Sequence, residues 1–214
     1  MTRDGAARIR FSRRELRDFA AAWLALTVAF ALFFNRGLLR GLLAGFVQPD
    51  VLLRIAAESL VVVGTGFLLH ELAHKVAAVR FGQAAEFRAD YSMLGLAVVS
   101  ALAGFLFAAP GAVHHRGRIT PRENGLIALA GPAVNAILAA GFLAVALLAD
   151  GLVGAVGNLG FVVNILLAGF NMIPFGPLDG RTVLDWSTPV FAVSFALTAG
   201  VAAVVLFGPL LPAL

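Results

Sequence analysis

His70, Glu71 and His74 form the sequence His-Glu-Leu-Ala-His inside the otherwise apolar stretch LVVVGTGFLLHELAHKVAA, residues 60–78. Ionisable groups at membrane depth are costly and mark functional positions. On a helix, residues i and i+4 share a face, so both imidazoles can reach one metal ion, and the glutamate after the first histidine can meet water at that ion. Zinc hydrolases of this type need a third protein ligand and one open coordination position. Taken alone, the motif also fits a buried histidine pair held by Glu71, or a bis-histidine haem site.

Two downstream segments bear on the missing ligand. Asn171-Met-Ile-Pro174-Phe-Gly-Pro177-Leu178-Asp179-Gly180 follows an apolar run. Its prolines end a helix, and its glycines permit close backbone approach. Asp-Gly also suits an ordinary surface turn, but with the upstream histidines a two-His, one-Asp zinc site is the better reading. Asn135, in Gly131-Pro132-Ala-Val-Asn135, sits in an apolar helix. Its amide can donate to a developing oxyanion or bond a neighbouring helix, and the residues alone leave both open.

The elements that position these groups follow from composition. The chain has 214 residues and 13% charged residues, with a mean hydropathy of +0.93. That profile fits an all-α polytopic transmembrane helix bundle and not a soluble domain. The absence of cysteine removes disulfides and thiolate metal sites. The net charge of +4 sits on arginines that flank apolar runs, which points to membrane topology and away from nucleic acid. The expected organisation is a basic cytoplasmic tail over 1–18 and one membrane-embedded domain over 19–214, its core at about 53–180. Spans are expected at about 19–34, 53–79, 122–148, 152–172 and 189–207. Thr120 is expected to cap the third of these, with Pro121 at its first position. The stretch 80–92 reads as a polar surface loop. The stretch 93–109 is apolar but at the lower limit for a sixth span. If it crossed, Arg116, Arg118 and Arg122 would lie outside, against the positive-inside bias. A re-entrant segment near 93–109 that returns to the same side is the preferred alternative.

The three elements together, His70-Glu71-xx-His74, Gly131-Pro132-xx-Asn135 and Asn171-xx-Pro174-xx-Pro177-Leu178-Asp179-Gly180, resemble the site-2 protease family of intramembrane zinc metalloproteases in kind, order and hydrophobic setting. The resemblance implies one zinc ion on His70, His74 and Asp179, with Glu71 as catalytic base and Asn135 holding substrate or oxyanion. Asn171 belongs to the same signature. The 93–109 insert is more hydrophobic than the surface sheet region of that family. The implied activity is hydrolysis of a peptide bond in or near a transmembrane segment. The implied partners are the lipid bilayer and, as substrate, a single-span membrane protein or signal-peptide remnant. The implied location is the cell membrane, multi-pass, with a cytoplasmic N-terminus. Lys75 is expected to snorkel to the interface or to pair with a carboxylate. A metal or ion transporter using the same polar residues is the alternative from another class.

Overall fold

The computed structural model describes residues 9–107 and 109–208; Arg3, at the start of the expected tail, and residues 209–214 of the expected domain lie outside the described residues. The elements in chain order are α1 (Arg13–Phe34), α2 (Leu38–Leu43), α3 (Pro49–Arg80), β1 (Ala84–Ala89), α4 (Tyr91–Leu102), β2 (Gly111–Arg116), α5 (Pro121–Leu148), α6 (Gly151–Asn171), α7 (Asp179–Trp186), α8 (Thr188–Phe195), a π-helical turn (Ala196–Gly200) and α9 (Val201–Phe207). Among the described residues five helical stretches are long and apolar enough to span a membrane: α1, α3, α5, α6 and the continuous run Thr188–Phe207. The chain is a multi-pass, all-α membrane protein with one small hairpin.

The described chain divides into two compact units, one of Phe11–Leu68 and Glu86–His114, the other of residues 9–10, 69–85 and 115–208. In the first unit, Ser12 caps α1 by accepting from Glu15 N at 3.0 Å. Phe19 stacks on Phe87 with centroids 4.4 Å apart, and Phe67 meets both rings edge-on. The Glu15 carboxylate, fully buried, accepts from Phe87 N at 2.9 Å. Trp23 Nε1 donates to Leu60 O at 2.9 Å, across Gly64, where a Cβ would strike the indole.

The 93–109 stretch departs from a span. Asp90 caps α4 by accepting from the amides of Ser92 and Met93. The helix has only 12 residues, or roughly 18 Å at 1.5 Å per residue, against about 30 Å of hydrocarbon. Phe107 N donates to Ser100 Oγ at 3.0 Å, turning the chain back. Asp90 N then donates to Pro110 O at 3.0 Å, and β1 pairs with β2. The stretch therefore leaves and re-enters one hairpin. The loop expected at 80–92 contains β1 in place of irregular chain.

The second unit positions the candidate site. Thr120 accepts from Glu123 N, and Glu123 reciprocates to Thr120 N at 2.8 Å, a capping box with Pro121 at the first turn. Helices α5 and α6 pack closely because Gly154, Gly157 and Gly160 put bare backbone on the shared face. A Cβ on Gly157 would meet Ala146 N and Phe142 O, and one on Gly160 would meet the Phe142 ring. Such small-residue faces let membrane helices approach without polar seams. At the end of α6, Met172 is buried with Ala128 and Val183, which ties α7 to both long helices.

Candidate metal centre

The last turns of α3 carry His70, Glu71 and His74, all buried. Asp179 begins α7, after the loop that follows α6. Gly176 in that loop has φ 60°, a left-handed conformation that glycine adopts without strain. Gly180 lies so close to α6 that a Cβ would fall on the Met172 carbonyl. This approach brings the Asp179 carboxylate to the histidines. Its Oδ2 lies 3.4 Å from His70 Nε2 and 3.3 Å from His74 Nε2, and the two Nε2 atoms are 3.0 Å apart. Helix α5 closes one side: a Cβ on Gly131 would land on both Nε2 atoms.

The protonation pattern tests whether a cation fits. His74 Nδ1 lies 2.7 Å from the Ile127 carbonyl, which can only accept, so Nδ1 carries the hydrogen. His70 Nδ1 faces Asn135 Oδ1 at 2.5 Å. In the neutral imidazoles both Nε2 atoms then present lone pairs. They face each other and a carboxylate oxygen that, among the described residues, accepts no hydrogen bond. Three converging electron pairs repel unless a cation lies among them. Ligand atoms of His70, His74 and Asp179 all lie within 4.8 Å of one another, a set that could hold a metal ion. Nitrogen, nitrogen and carboxylate oxygen are ligands that zinc accepts. Glu71 adjoins this set, its Oε2 buried and without a hydrogen-bond partner among the described residues.

A protein of Methanocaldococcus jannaschii named a "putative zinc metalloprotease" is 38% identical over 188 residues, covering 86% of this chain and 90% of that protein. This chain belongs to that zinc metalloprotease family. No family model matches it, and no solved structure matches it.

The two other readings of a metalloprotease histidine pair lose their ground in this geometry. A haem iron needs imidazoles on opposite faces of the macrocycle, whereas these Nε2 atoms converge from one helix at 3.0 Å. A plain core pair would not gather a third ligand atom without a proton to share. Asn135 is fully buried; its Oδ1 faces His70, and its Nδ2 donates to Asn164 Oδ1 at 2.9 Å. Asn171 Nδ2 donates to Leu167 O within α6. Lys75 does not snorkel: it is fully buried, and its Nζ donates to Arg10 O at 2.6 Å. Sequence reasoning passed over Asn164, although its amide in an apolar helix carried the same signal as Asn135.

Proposed function

We propose that this chain is an intramembrane zinc endopeptidase of the site-2 protease kind, which hydrolyses a peptide bond in or near a transmembrane segment. The observation that carries the reading is the convergence of His70 Nε2, His74 Nε2 and Asp179 Oδ2 beside Glu71, with the histidines and Glu71 on a helix apolar and long enough to span a membrane. The name of the M. jannaschii relative supports zinc as the metal. His70, His74 and Asp179 would hold the ion, leaving a fourth position open. A bound zinc ion supplies Lewis acidity to a carbonyl and acidifies water to near neutrality.

The chain's own groups do the remaining work. The Glu71 carboxylate takes a proton from the attacking water as its oxygen bonds to the scissile carbonyl carbon. As the carbon–nitrogen bond breaks, Glu71 passes that proton to the leaving amine. The bare Gly131 backbone leaves room for the two imidazoles themselves. Asn135 holds His70 through its ring nitrogen. A substrate helix keeps its amides bonded internally, so it must unwind locally before cleavage. A single-span membrane protein or a signal-peptide remnant meets that requirement. The arginines at the start of α1, Arg13, Arg14 and Arg17, support a cytoplasmic N-terminus in the cell membrane.

Purified protein in detergent, incubated with a panel of single-span substrates, tests the reading against Glu71→Gln. Wild type should cleave and the variant should not, with about one zinc retained in each, the count expected of a single three-ligand site. Transport of metal across vesicles by both proteins, with no cleavage by either, would replace the protease reading with a transporter.

A further inference from the structure

Asn164 lies outside every motif that points to zinc, yet it is fully buried in α6 at the end of a directional chain of hydrogen bonds. Its Nδ2 donates to the Gly160 carbonyl at 2.9 Å. Its Oδ1 accepts from Asn135 Nδ2 at 2.9 Å. Asn135 Oδ1 in turn faces His70 Nδ1. Amide orientation is ordinarily ambiguous, but here one end of the chain decides it. The Gly160 carbonyl can only accept, so Asn164 must turn its NH2 group to it and its oxygen to Asn135. Asn135 must then turn its own oxygen to His70, whose Nδ1 must carry the hydrogen. Flipping Asn135 alone sets two amide oxygens face to face. Flipping both sets the Asn164 oxygen against the Gly160 carbonyl. Either rearrangement leaves buried acceptors opposed in a low-dielectric interior.

We propose that Asn164 is a positioning residue for the metal centre: acting through Asn135, it fixes the tautomer and ring orientation of His70 so that Nε2 presents a lone pair to the ion. This rests on the zinc reading of the site given above. The two ligand histidines are then set by one rule. His74 is referenced directly to the Ile127 carbonyl, and His70 is referenced to the Gly160 carbonyl through two amides. A neutral relay suits an apolar bundle, where a carboxylate in the same place would bury a net charge. The Gly154, Gly157 and Gly160 face brings α6 near enough to α5 for the amides to meet.

Zinc affinity, measured by competition with a chromophoric chelator on the full chain in detergent, tests this with wild type, Asn164→Leu, Asn135→Leu and the double variant. Outer hydrogen-bond partners of metal ligands change affinity by about 10–100-fold. Asn164→Leu should therefore weaken zinc at least ~10-fold, and the double variant should bind no more weakly than Asn135→Leu alone. Cobalt bound to Asn164→Leu should show shifted visible bands. Zinc affinity of Asn164→Leu equal to wild type would overturn the relay and leave the zinc reading intact. Independent, multiplicative losses in the double variant would overturn action through Asn135. No zinc on wild type would overturn the zinc reading itself. Nitrogen NMR of 15N-histidine wild type needs no variant to fold: a hydrogen on His70 Nδ1 supports the proposal, and one on Nε2 overturns it.

Discussion

At Gly131 the missing side chain has a chemical use, because the Nε2 atoms of His70 and His74 occupy the space a Cβ would take. Alanine there must push at least one imidazole off the point where the ligand atoms converge. Gly131→Ala is expected to weaken zinc by at least ~10-fold, in the range seen when ligand support is lost. Chelator competition checks it. Gly141 on the same helix is the control, since among the described residues a Cβ there meets nothing within 4 Å. Gly141→Ala should keep wild-type zinc affinity and gain up to about 1 kcal/mol of helix stability. Equal zinc affinity in the two variants would mean that α5 does not wall the site. The comparison isolates a contact, because both substitutions change the unfolded chain in the same way.

Between α6 and α7 the same reasoning applies to a turn. Gly180 lets the start of α7 press on the Met172 carbonyl, and that approach carries Asp179 to the histidines. The obstacle to a Cβ is backbone, which cannot swing aside as a side chain can. Gly180→Ala should cost about 1–3 kcal/mol as an overpacked site, read as a lower unfolding midpoint in detergent. It should also lower zinc occupancy, since Asp179 must move with α7. A variant that loses stability but keeps full zinc affinity would separate the turn from the ligand. Much of this was legible in the sequence. His70, Glu71 and His74 are one helical turn of residues with a known use, and Thr120-Pro121 states a helix start that the capping box realises. Asp179 needed the upstream histidines to be read as more than a turn. The β1/β2 hairpin was not legible, because AAEFRA and GAVHHR are short and carry no alternating apolar pattern. For the 93–109 stretch hydropathy left a crossing and a return both open, because it records apolar surface without its direction; the positive-inside bias favoured the return, and the 12-residue helix α4 agrees with it. Asn164 carries the same signal as Asn135 but stands outside the three motifs, and its tie to the site, the bond from Asn135, exists only once α5 and α6 are packed together.

Across the whole chain, the site requires a particular membrane topology. His74 lies six residues before the end of α3 at Arg80, and Ile127, whose carbonyl faces its Nδ1, lies six residues after the start of α5 at Pro121. At 1.5 Å per residue each offset is roughly 9 Å, too little for the two to meet from opposite surfaces of about 30 Å of hydrocarbon, so the end of α3 and the start of α5 face the same side. Asp179 follows the end of α6, one further crossing away and one back, which returns it to that side. If residues 93–109 crossed the bilayer, α5 would start from the opposite side and run the other way past α3. Its early residues would then lie near the wrong surface. The hairpin avoids this, since the chain leaves β1 and re-enters at β2. The chain has no cysteine, so single cysteines can report topology with an impermeant maleimide on sealed vesicles. Gln48, Arg118, Asp150 and Asp185 are exposed positions between or beyond the spans. Arg118→Cys and Asp185→Cys should label from one side, and Gln48→Cys and Asp150→Cys from the other. The pair that decides is Gln48 and Arg118. Labelling from opposite sides fits α3 as the sole crossing between them, whereas labelling from the same side would require a second crossing in the 93–109 stretch and would dismantle the arrangement of α3, α5 and Asp179 on which the metal centre depends.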